Sequence, residues 1–266
     1  MPYFDTGTIS LCYTDSGGSG GSGAPIVLLH ELGGSSESWW RVAPLLAPTR
    51  RAIAIDMRGA GRSEKRPNGW EITDQADDIA ALIGGLNLGP VDLLGAALGS
   101  LVGARLARRH PSLVRRLMMC AVADDMDGAT ADYLSKRAER VRQVGMRGVM
   151  DASLRNAFPD AHAQARTAYQ PIYLANDPAA YAEMSLALTR LRFTNDDWRG
   201  IGAPVLVASG AHDFIWPPEL GRKVAAKIPG ARFAVLADAG HFPHMHTPED
   251  LVAMALDFFQ RAPPLS

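Results

Sequence analysis

The chain has little of what marks membrane, disulfide-rich or nucleic-acid-binding proteins. Its 266 residues include two cysteines and carry a net charge of −1. Cys12 and Cys120 both lie in apolar, strand-like runs, so we expect buried, reduced thiols. No apolar run approaches the roughly 20 residues that a membrane helix needs. No strongly basic stretch suggests nucleic acid or an anionic membrane surface as a partner.

The N-terminus also lacks a basic start followed by a long apolar core, so we expect no signal peptide and a cytoplasmic protein. What is present is ordinary for a soluble globular chain, with 47% hydrophobic and 21% charged residues. The length suits one large domain or a core with an insertion. A small molecule is the partner that we expect, and the sequence leaves the oligomeric state open.

The most informative absence is a missing nucleophile. Val91 to Leu94 is typical of a short buried strand, and Ser100 to Arg109 of a helix that ends before Pro111. Between them stands Gly95-Ala96-Ala97-Leu98-Gly99. A strand, a tight glycine-flanked turn and a helix make the nucleophile elbow of serine hydrolases, whose usual form is Gly-x-Ser-x-Gly. Ala97 therefore occupies the position of the catalytic oxygen.

Strand-like and helical segments alternate along the chain, which predicts an α/β fold with a mostly parallel sheet and helices on both faces. A helix is predicted over Asp74–Leu86 after a Thr73 cap, and another over Glu249–Gln260. The predicted strands, besides the one before the elbow, are Thr8–Thr14, Pro25–Leu29, Arg51–Ile55, Leu117–Val122, Pro204–Ala208 and Ala231–Leu236.

Two stretches depart from this alternation. Residues 16–23 are all glycine and serine, and we interpret them as a flexible natural loop inside a β-hairpin rather than an engineered linker. Residues 124–198 have a helical pattern with no convincing strand. We predict that they form a helical lid inserted into a core of residues 1–123 and 199–266, over a site at the carboxyl ends of the strands.

An acid and a histidine follow later strands in the order of a catalytic triad. Asp213 comes on the loop after Pro204–Ala208, and His241 on the loop after Ala231–Leu236. In such a triad the histidine takes the proton of the nucleophile and the carboxylate orients the imidazole. Asp124 or Asp125 is the weaker candidate for the acid, with helix capping as its simpler role.

Further candidates surround these loops. Ser100 lies inside the first helical turn and is not expected to replace the missing nucleophile. His241, His244 and His246 do not match a trustworthy zinc pattern, so no metal is predicted. Arginines of the predicted lid are candidates to bind a substrate carboxylate: Arg155, Arg190 and Arg192. Aromatic residues near the site loops are candidates to wall a substrate pocket: Trp39, Trp40, Phe214, Trp216 and Phe242.

Over almost its whole length the chain resembles the α/β-hydrolase superfamily, and most of all the 3-oxoadipate enol-lactonase-like hydrolases and small esterases. The motifs that carry this resemblance are 30–34 (HELGG), 56–63 (DMRGAGRS), the elbow, 210–213 (GAHD) and Gly240-His241. The resemblance implies the α/β-hydrolase fold and hydrolysis of a small ester, lactone or amide without a cofactor. It also implies an oxyanion hole at the backbone N–H groups of Leu32 and Leu98.

Two positions depart from the family pattern. Glu31 replaces the glycine of the family's His-Gly-x-Gly loop. It is a candidate substrate-binding residue, although a side chain that faces solvent is the simpler interpretation. Ala97 has three accounts: an inactivating replacement of serine, which we favour; a natural alanine in an enzyme that uses His241 and water or acts as a lyase-type base; and a non-catalytic binder. Bacterial aminoacrylate hydrolases look similar at the elbow, with alanine there.

Overall fold

The computed structural model describes residues 1–17, 23–66, 69–124 and 128–261. In this part of the chain the strands are β1 (Tyr3–Asp5), β2 (Ser10–Asp15), β3 (Ile26–Leu29), β4 (Ala52–Ile55), β5 (Val91–Ala96), β6 (Val114–Cys120), β7 (Val205–Gly210) and β8 (Arg232–Leu236). The helices are α1 (Ala43–Leu46), α2 (Ile72–Gly85), α3 (Leu98–Arg109), α4 (Gly128–Val144), α5 (Arg147–Arg155), α6 (Ala163–Leu174), α7 (Pro178–Arg190), α8 (Asn195–Arg199), α9 (Pro218–Lys227), α10 (Pro243–His246) and α11 (Pro248–Arg261).

The eight strands form one sheet in the order β1-β2-β4-β3-β5-β6-β7-β8. β1 and β2 pair antiparallel, β2 pairs antiparallel with β4, and every later pairing is parallel. The predicted α/β class with a mostly parallel sheet is confirmed. Its central strands are apolar because helices cover both of their faces.

Alternate residues of each strand enter two separate hydrophobic cores. Val27 and Leu29 of β3 pack in the core that includes α2 and α3, whereas Ile26 and Leu28 pack in the core that includes α1 and α11. The period of two along a strand sends neighbouring side chains to opposite faces of the sheet. One continuous apolar run in the sequence therefore supplies two buried layers.

The parallel register brings four loops to one edge of the sheet. Leu29 at the end of β3 pairs with Gly95 in β5, and Ala96 at the end of β5 pairs with Cys120 in β6. On the other side of β6, Gly210 at the end of β7 pairs with Leu236 at the end of β8. The loops that follow β3, β5, β7 and β8 consequently meet, as polar groups at the carboxyl ends of parallel strands do.

Between β6 and β7 the described chain is helical, from α4 to α8. We call α4 to α8 the inserted helices. The helices α4 and α7 pack against each other, and α4 and α6 both contact α5. Tyr169, Tyr173 and Tyr181 from these helices are buried, so the insertion has an apolar interior of its own that faces the sheet edge.

The structure corrects the predicted hairpin around the Gly/Ser segment. β4 lies between β2 and β3, so these two strands do not pair with each other. The prediction failed because neighbours in sequence are only the commonest partners in a sheet, and β2 instead pairs with β1 and β4. Residues 18–22 of the segment itself lie outside the described residues.

Other local predictions need smaller corrections. The helix α2 begins at Ile72, so Thr73 lies within its first turn; there the Glu71 N–H donates to Asp74 Oδ2 at 2.6 Å. The short strand β1 has no counterpart among the predicted strands. Both cysteines are free and buried, as expected. No helix in the described ranges has the length and apolar content needed to cross a membrane.

Candidate active site

The turn between β5 and α3 has the backbone of a nucleophile elbow. Ala97 has φ 47° and ψ −109°, a conformation that is strained for any residue with a Cβ. A Cβ on Gly99 would lie 2.0 Å from the Leu29 carbonyl oxygen, and one on Gly95 would lie 2.6 Å from the backbone of Gly99. The two glycines are therefore required for α3 to pack this closely against the sheet, and residue 97 is held at the apex of the turn.

Ser100 does not supply the missing hydroxyl. Its Oγ lies 2.9 Å from the Gly95 carbonyl oxygen and 2.8 Å from that of Cys120, and it accepts a hydrogen bond from the Cys120 N–H at 3.0 Å. The side chain is fully buried. Ser100 thus ties the elbow to β6, which is a structural role.

His241 and Asp213 meet across the loops that follow β8 and β7. His241 Nδ1 lies 2.9 Å from Asp213 Oδ2, and both residues are buried. Because a carboxylate only accepts hydrogen bonds, Nδ1 donates and Nε2 is left as the basic nitrogen. Asp213 Oδ1 accepts the N–H groups of Ile215 at 2.9 Å and Trp216 at 2.8 Å. These bonds hold the carboxylate, and through it the imidazole, in one orientation.

The alternative acids are differently engaged. Asp124 forms an ion pair with Lys227 at the start of the inserted segment. Asp125 lies outside the described residues. Asp213 is thus the candidate acid that the geometry joins to His241.

Leu32 and Leu98, the two residues that the resemblance assigns to an oxyanion hole, line the same cavity as Ala97. Leu98 is the first residue of α3, so its N–H is among those that a helix leaves without an internal partner. Leu32 lies in a turn closed by the Gly34 N–H, which donates to the Glu31 carbonyl oxygen at 3.0 Å. Both leucines line the cavity described below. Paired backbone donors form an oxyanion hole where they face the reacting carbonyl, and that role stays a prediction for these two residues.

Glu31 is fully buried, so the expectation that it faces solvent is wrong. Its Oε1 accepts the Ser38 hydroxyl at 2.7 Å, and its Oε2 lies 3.1 Å from His244 Nε2. Burial alone would raise the pKa of the Glu31 carboxyl, but the hydrogen bond and charge of His244, aided by His30, lower that pKa to about 2. The carboxylate is charged, and both of its oxygens have partners on the protein side.

A cavity of about 360 Å³ lies over the elbow, which is in the range of small-molecule sites. Ala97, His241 and the two leucines form its floor. Its walls include three of the five predicted aromatic residues, Phe214, Trp216 and Phe242, and its roof comes from the inserted helices. The residues that line the cavity include Glu31, Leu32, Ala97, Leu98, Tyr133, Arg137, Ser153, Tyr169, Tyr173, Tyr181, Phe214, Ile215, Trp216, His241 and Phe242.

Trp39 and Trp40 are not among the described residues that line this cavity. The Trp39 ring is buried and lies 4.7 Å, centroid to centroid, from the ring of His244. Trp40 is partly buried and packs against the hydrophobic core on the inserted-helix side. Trp39 and Trp40 follow a site loop in the sequence, but neither ring enters the site. The 3₁₀ turn Ser36–Trp39 directs the Trp39 ring into the core.

A comparison with protein-family models matches residues 24–248 to the alpha/beta hydrolase fold. The chain belongs to the alpha/beta hydrolase fold family. The match spans the elbow, the acid and the histidine, and it confirms the resemblance inferred from the motifs.

Individual members of the family cover nearly the whole chain. A Mycobacterium tuberculosis protein named "Putative non-heme bromoperoxidase BpoC" is 29% identical over 94% of this chain and 98% of its own length. A Pantoea ananatis protein named "Putative carbamate hydrolase RutD" is 26% identical over 89% and 88%. The structure of the enol-lactonase from Burkholderia xenovorans LB400 superposes with a TM-score of 0.91 at 26% identity, covering 98% of this chain and all (100%) of that one.

The roof of the hydrolase cavity contains an arginine that the sequence analysis missed. Arg190 donates to Glu71 Oε1 at 2.7 Å, and Arg192 donates to the Thr189 carbonyl oxygen at 2.8 Å. Arg155 is likewise not among the described lining residues, whereas Arg137 of α4 is. A helical period in a predicted lid does not reveal which face turns toward the site, so no sequence signal separated Arg137 from the others.

His246, which follows His241 and His244 in the sequence, has a structural role. His246 Nδ1 accepts the Gly240 N–H at 2.9 Å, next to His241. Its ring stacks on that of His162 from the inserted helices at 4.3 Å. Burial, followed by the charge of His162, lowers the pKa of His246 to about 2. His246 is therefore a neutral acceptor that positions the backbone beside His241.

Proposed function

We propose that the chain hydrolyses a small ester, lactone or amide at the cavity over Ala97, with His241 as the base and water as the nucleophile. The observation that carries this is the His241–Asp213 pair, joined at 2.9 Å, with His241 on the floor of a cavity that Leu32 and Leu98 also line. Membership of the hydrolase family, with a carbamate hydrolase and an enol-lactonase among its similar proteins, supports the reaction class.

The reaction begins with proton transfer to His241. Nε2 takes a proton from a water molecule as its oxygen attacks the carbonyl carbon of the substrate, and Asp213 stabilises the imidazolium that results. The carbonyl oxygen becomes an oxyanion held by the N–H groups of Leu32 and Leu98. When the tetrahedral intermediate collapses, the imidazolium returns its proton to the leaving alcohol or amine, and a carboxylic acid remains.

Ala97 explains why water is the nucleophile in this proposal. A methyl side chain carries no lone pair and cannot form an acyl-enzyme, so the covalent route of the family is closed in this chain. The account favoured from sequence, an inactivating replacement of serine, stays a prediction. That account assigns the same roles to the other site residues as the water mechanism does. The two accounts differ in the activity that they predict for Ala97→Ser.

Glu31 is compatible with this chemistry although it is a carboxylate near the oxyanion hole. Its two oxygens accept hydrogen bonds from Ser38 and His244. These two hydrogen bonds stabilise the negative charge of the carboxylate within the protein. We assign to Glu31 the support of the loop that carries Leu32 rather than a contact with the reacting atoms.

The division into core and lid is also part of the proposal. We take residues 124–198 as a lid over a core of residues 1–123 and 199–266. The support is that α4, α6 and α7 contribute Tyr133, Tyr169 and Tyr181 to the cavity. A roof of this kind excludes bulk water, which strengthens the electrostatic interactions beneath it.

A substrate panel tests the proposal. Short aryl esters, small lactones and amide acids are offered to the chain and to Ala97→Ser, and each protein is also made with His241→Ala as the matched control. We expect the chain itself to release acid product, and His241→Ala to abolish that release. Product analysis for the uptake of one water per turnover separates hydrolysis from a lyase reaction.

The serine variant decides between the accounts of Ala97. If water is the nucleophile, Ala97→Ser changes turnover little or lowers it. A rise of about a thousandfold or more, the scale of a triad nucleophile, together with an inert parent chain, would instead establish an inactivated serine hydrolase. No turnover by either protein would reject hydrolysis of these substrates.

A further inference from the structure

One cationic side chain in the cavity has no acidic partner among the residues that the structure describes. Arg137 lies on α4 and lines the cavity that also contains Ala97 and His241. Its Nε is buried and has no hydrogen-bond acceptor among the described residues. In the same part of the chain no carboxylate forms an ion pair with Arg137.

Aromatic rings surround this guanidinium without cancelling its charge. The Arg137 Cζ lies 5.1 Å from the centroid of the Tyr133 ring and 5.5 Å from that of Tyr181. The Tyr181 hydroxyl is in turn 3.0 Å from that of Tyr173. Ring faces attract a cation and hold the guanidinium plane, but they are neutral. The arrangement orients Arg137, and its Nε–H has no acceptor among the described residues.

Another arginine on the same helix has a structural role. Arg142, five residues along α4, pairs with Glu183 of α7 at 2.6 Å. Arg137 faces the same helix, where its contact is the ring of Tyr181 rather than a carboxylate. Where α4 packs on α7, Arg142 outside the cavity thus has a carboxylate partner, whereas Arg137 in the cavity has none among the described residues.

The other charged group of the lining cannot serve as the partner. Glu31 is the one carboxylate among the described lining residues, and its two oxygens accept from Ser38 and His244. Arg137 is likewise the one lysine or arginine of that lining. A single guanidinium matches the charge of a monoanion, whereas sites for phosphate groups commonly combine several cations or backbone N–H donors.

We propose that Arg137 binds a carboxylate of the substrate, and that the enzyme acts on small anionic acids that carry a second, hydrolysable acyl group. This rests on the proposed hydrolysis at His241. The planar guanidinium fork accepts a carboxylate through two parallel hydrogen bonds. Arg137 then holds the anionic end of the substrate under the roof while the reacting carbonyl lies against the Leu32 and Leu98 amides.

Binding can be measured without turnover. Succinate and its neutral analogue dimethyl succinate are titrated calorimetrically into the full chain, into Arg137→Gln and into Arg137→Lys. Lys136→Gln is the matched control, because Lys136 is the preceding residue of the helix and its side chain is 82% exposed. Circular dichroism and the melting temperature verify that each variant is folded.

We expect Arg137→Gln to bind succinate about 10- to 100-fold more weakly, the range for loss of a hydrogen bond between charged groups. Arg137→Lys should keep part of the affinity, Lys136→Gln all of it, and dimethyl succinate should bind every variant alike. With monomethyl succinate as substrate, Arg137→Gln should raise KM and leave kcat nearly unchanged.

Three results would overturn the assignment. They are a parent chain that does not bind succinate, equal affinities of the parent and Arg137→Gln, and tighter binding of methyl phosphate than of succinate. Because the calorimetry needs no catalysis, succinate binding that depends on Arg137 in a chain without hydrolytic activity would leave this inference standing and reject only the proposed reaction.

Discussion

Two histidine–carboxylate pairs lie side by side in this protein and differ in what they face. His241 pairs with Asp213 at 2.9 Å, and His244, three residues further along, pairs with Glu31 at 3.1 Å. All four residues are buried. In both pairs one imidazole nitrogen meets one carboxylate oxygen, so the pairing itself does not distinguish a catalytic role from a structural one.

The second ring nitrogen makes the difference. His241 lines the cavity and its Nε2 is available to a reactant. His244 is enclosed between Trp39 and the loop of Glu31, and its Nδ1 is a buried atom without a hydrogen-bond partner among the described residues. The same two functional groups can therefore take a proton from a reactant where the second nitrogen faces a cavity, and can only stabilise the fold where both nitrogens face protein.

The largest expected effect is the loss of activity on removal of the first pair. His241→Ala should lower kcat about 10²- to 10⁴-fold, the contribution of a positioned general base. Asp213→Asn should give a comparable loss because the imidazole loses its orienting acceptor. Steady-state kinetics on the best ester, lactone or amide of the panel measures both. The melting temperature of His241→Ala should change little, and a kcat close to that of the parent would remove His241 from the mechanism.

The second pair should affect stability instead. His244→Ala leaves the buried Glu31 carboxylate without its main partner, and we expect the free energy of unfolding to fall by about 3–5 kcal/mol. Urea denaturation measures this loss. The double variant Glu31→Leu/His244→Leu is the control, because removal of both charges should cost less than removal of one. If His244→Ala is as stable as the parent, the contrast between the two pairs is broken.

The pH dependence of stability should sharpen the contrast by a smaller amount. The pKa of Glu31 is about 2 in the folded protein, below its ordinary value of 4.5. The folded state therefore binds fewer protons than the unfolded state between these values. The contribution of Glu31 is complete above pH 4.5 and is lost as pH falls toward 2, by up to about 1.4 kcal/mol per pH unit.

Urea denaturation at pH 5, 4 and 3 checks this dependence on the parent and on Glu31→Gln. The variant should lose less stability over the interval, because glutamine does not titrate. Asp15, Asp77 and Asp197 also have lowered pKa values and contribute equally in both proteins. Parallel curves for the two proteins would contradict the assigned ionisation of Glu31.

The motifs of the chain predicted the fold class and the family, which are confirmed, and they named the candidate residues Ala97 and His241, which line one cavity. The elbow, the class of the fold and the family follow from local patterns, because a strained turn with two close approaches demands glycine at 95 and 99 whatever surrounds it. Asp213 and His241 were identified because each directly follows a strand, and the strands bring their ends to one edge.

The same reasoning failed where partners are distant in sequence. The hairpin around residues 16–23 was wrong, since β4 enters between β2 and β3. Glu31 was expected at the surface, whereas it is buried and one of its two partners, His244, is 213 residues away. The sequence analysis selected other arginines of the predicted lid and not Arg137, because the packing of distant segments decides which arginine lies over the site.

The sequence by itself determined the backbone of the elbow, the order of the candidate triad residues and the absence of a nucleophile at residue 97. These are properties of short segments, in which sterics and strand periodicity act locally. Only the tertiary structure decided which histidine faces the cavity, that Glu31 is buried and paired, and that Arg137 lies over the site without a carboxylate partner in the described ranges. Each of these depends on which surfaces of distant segments pack together. Whether a buried charge is stabilised depends on the groups that are packed against it.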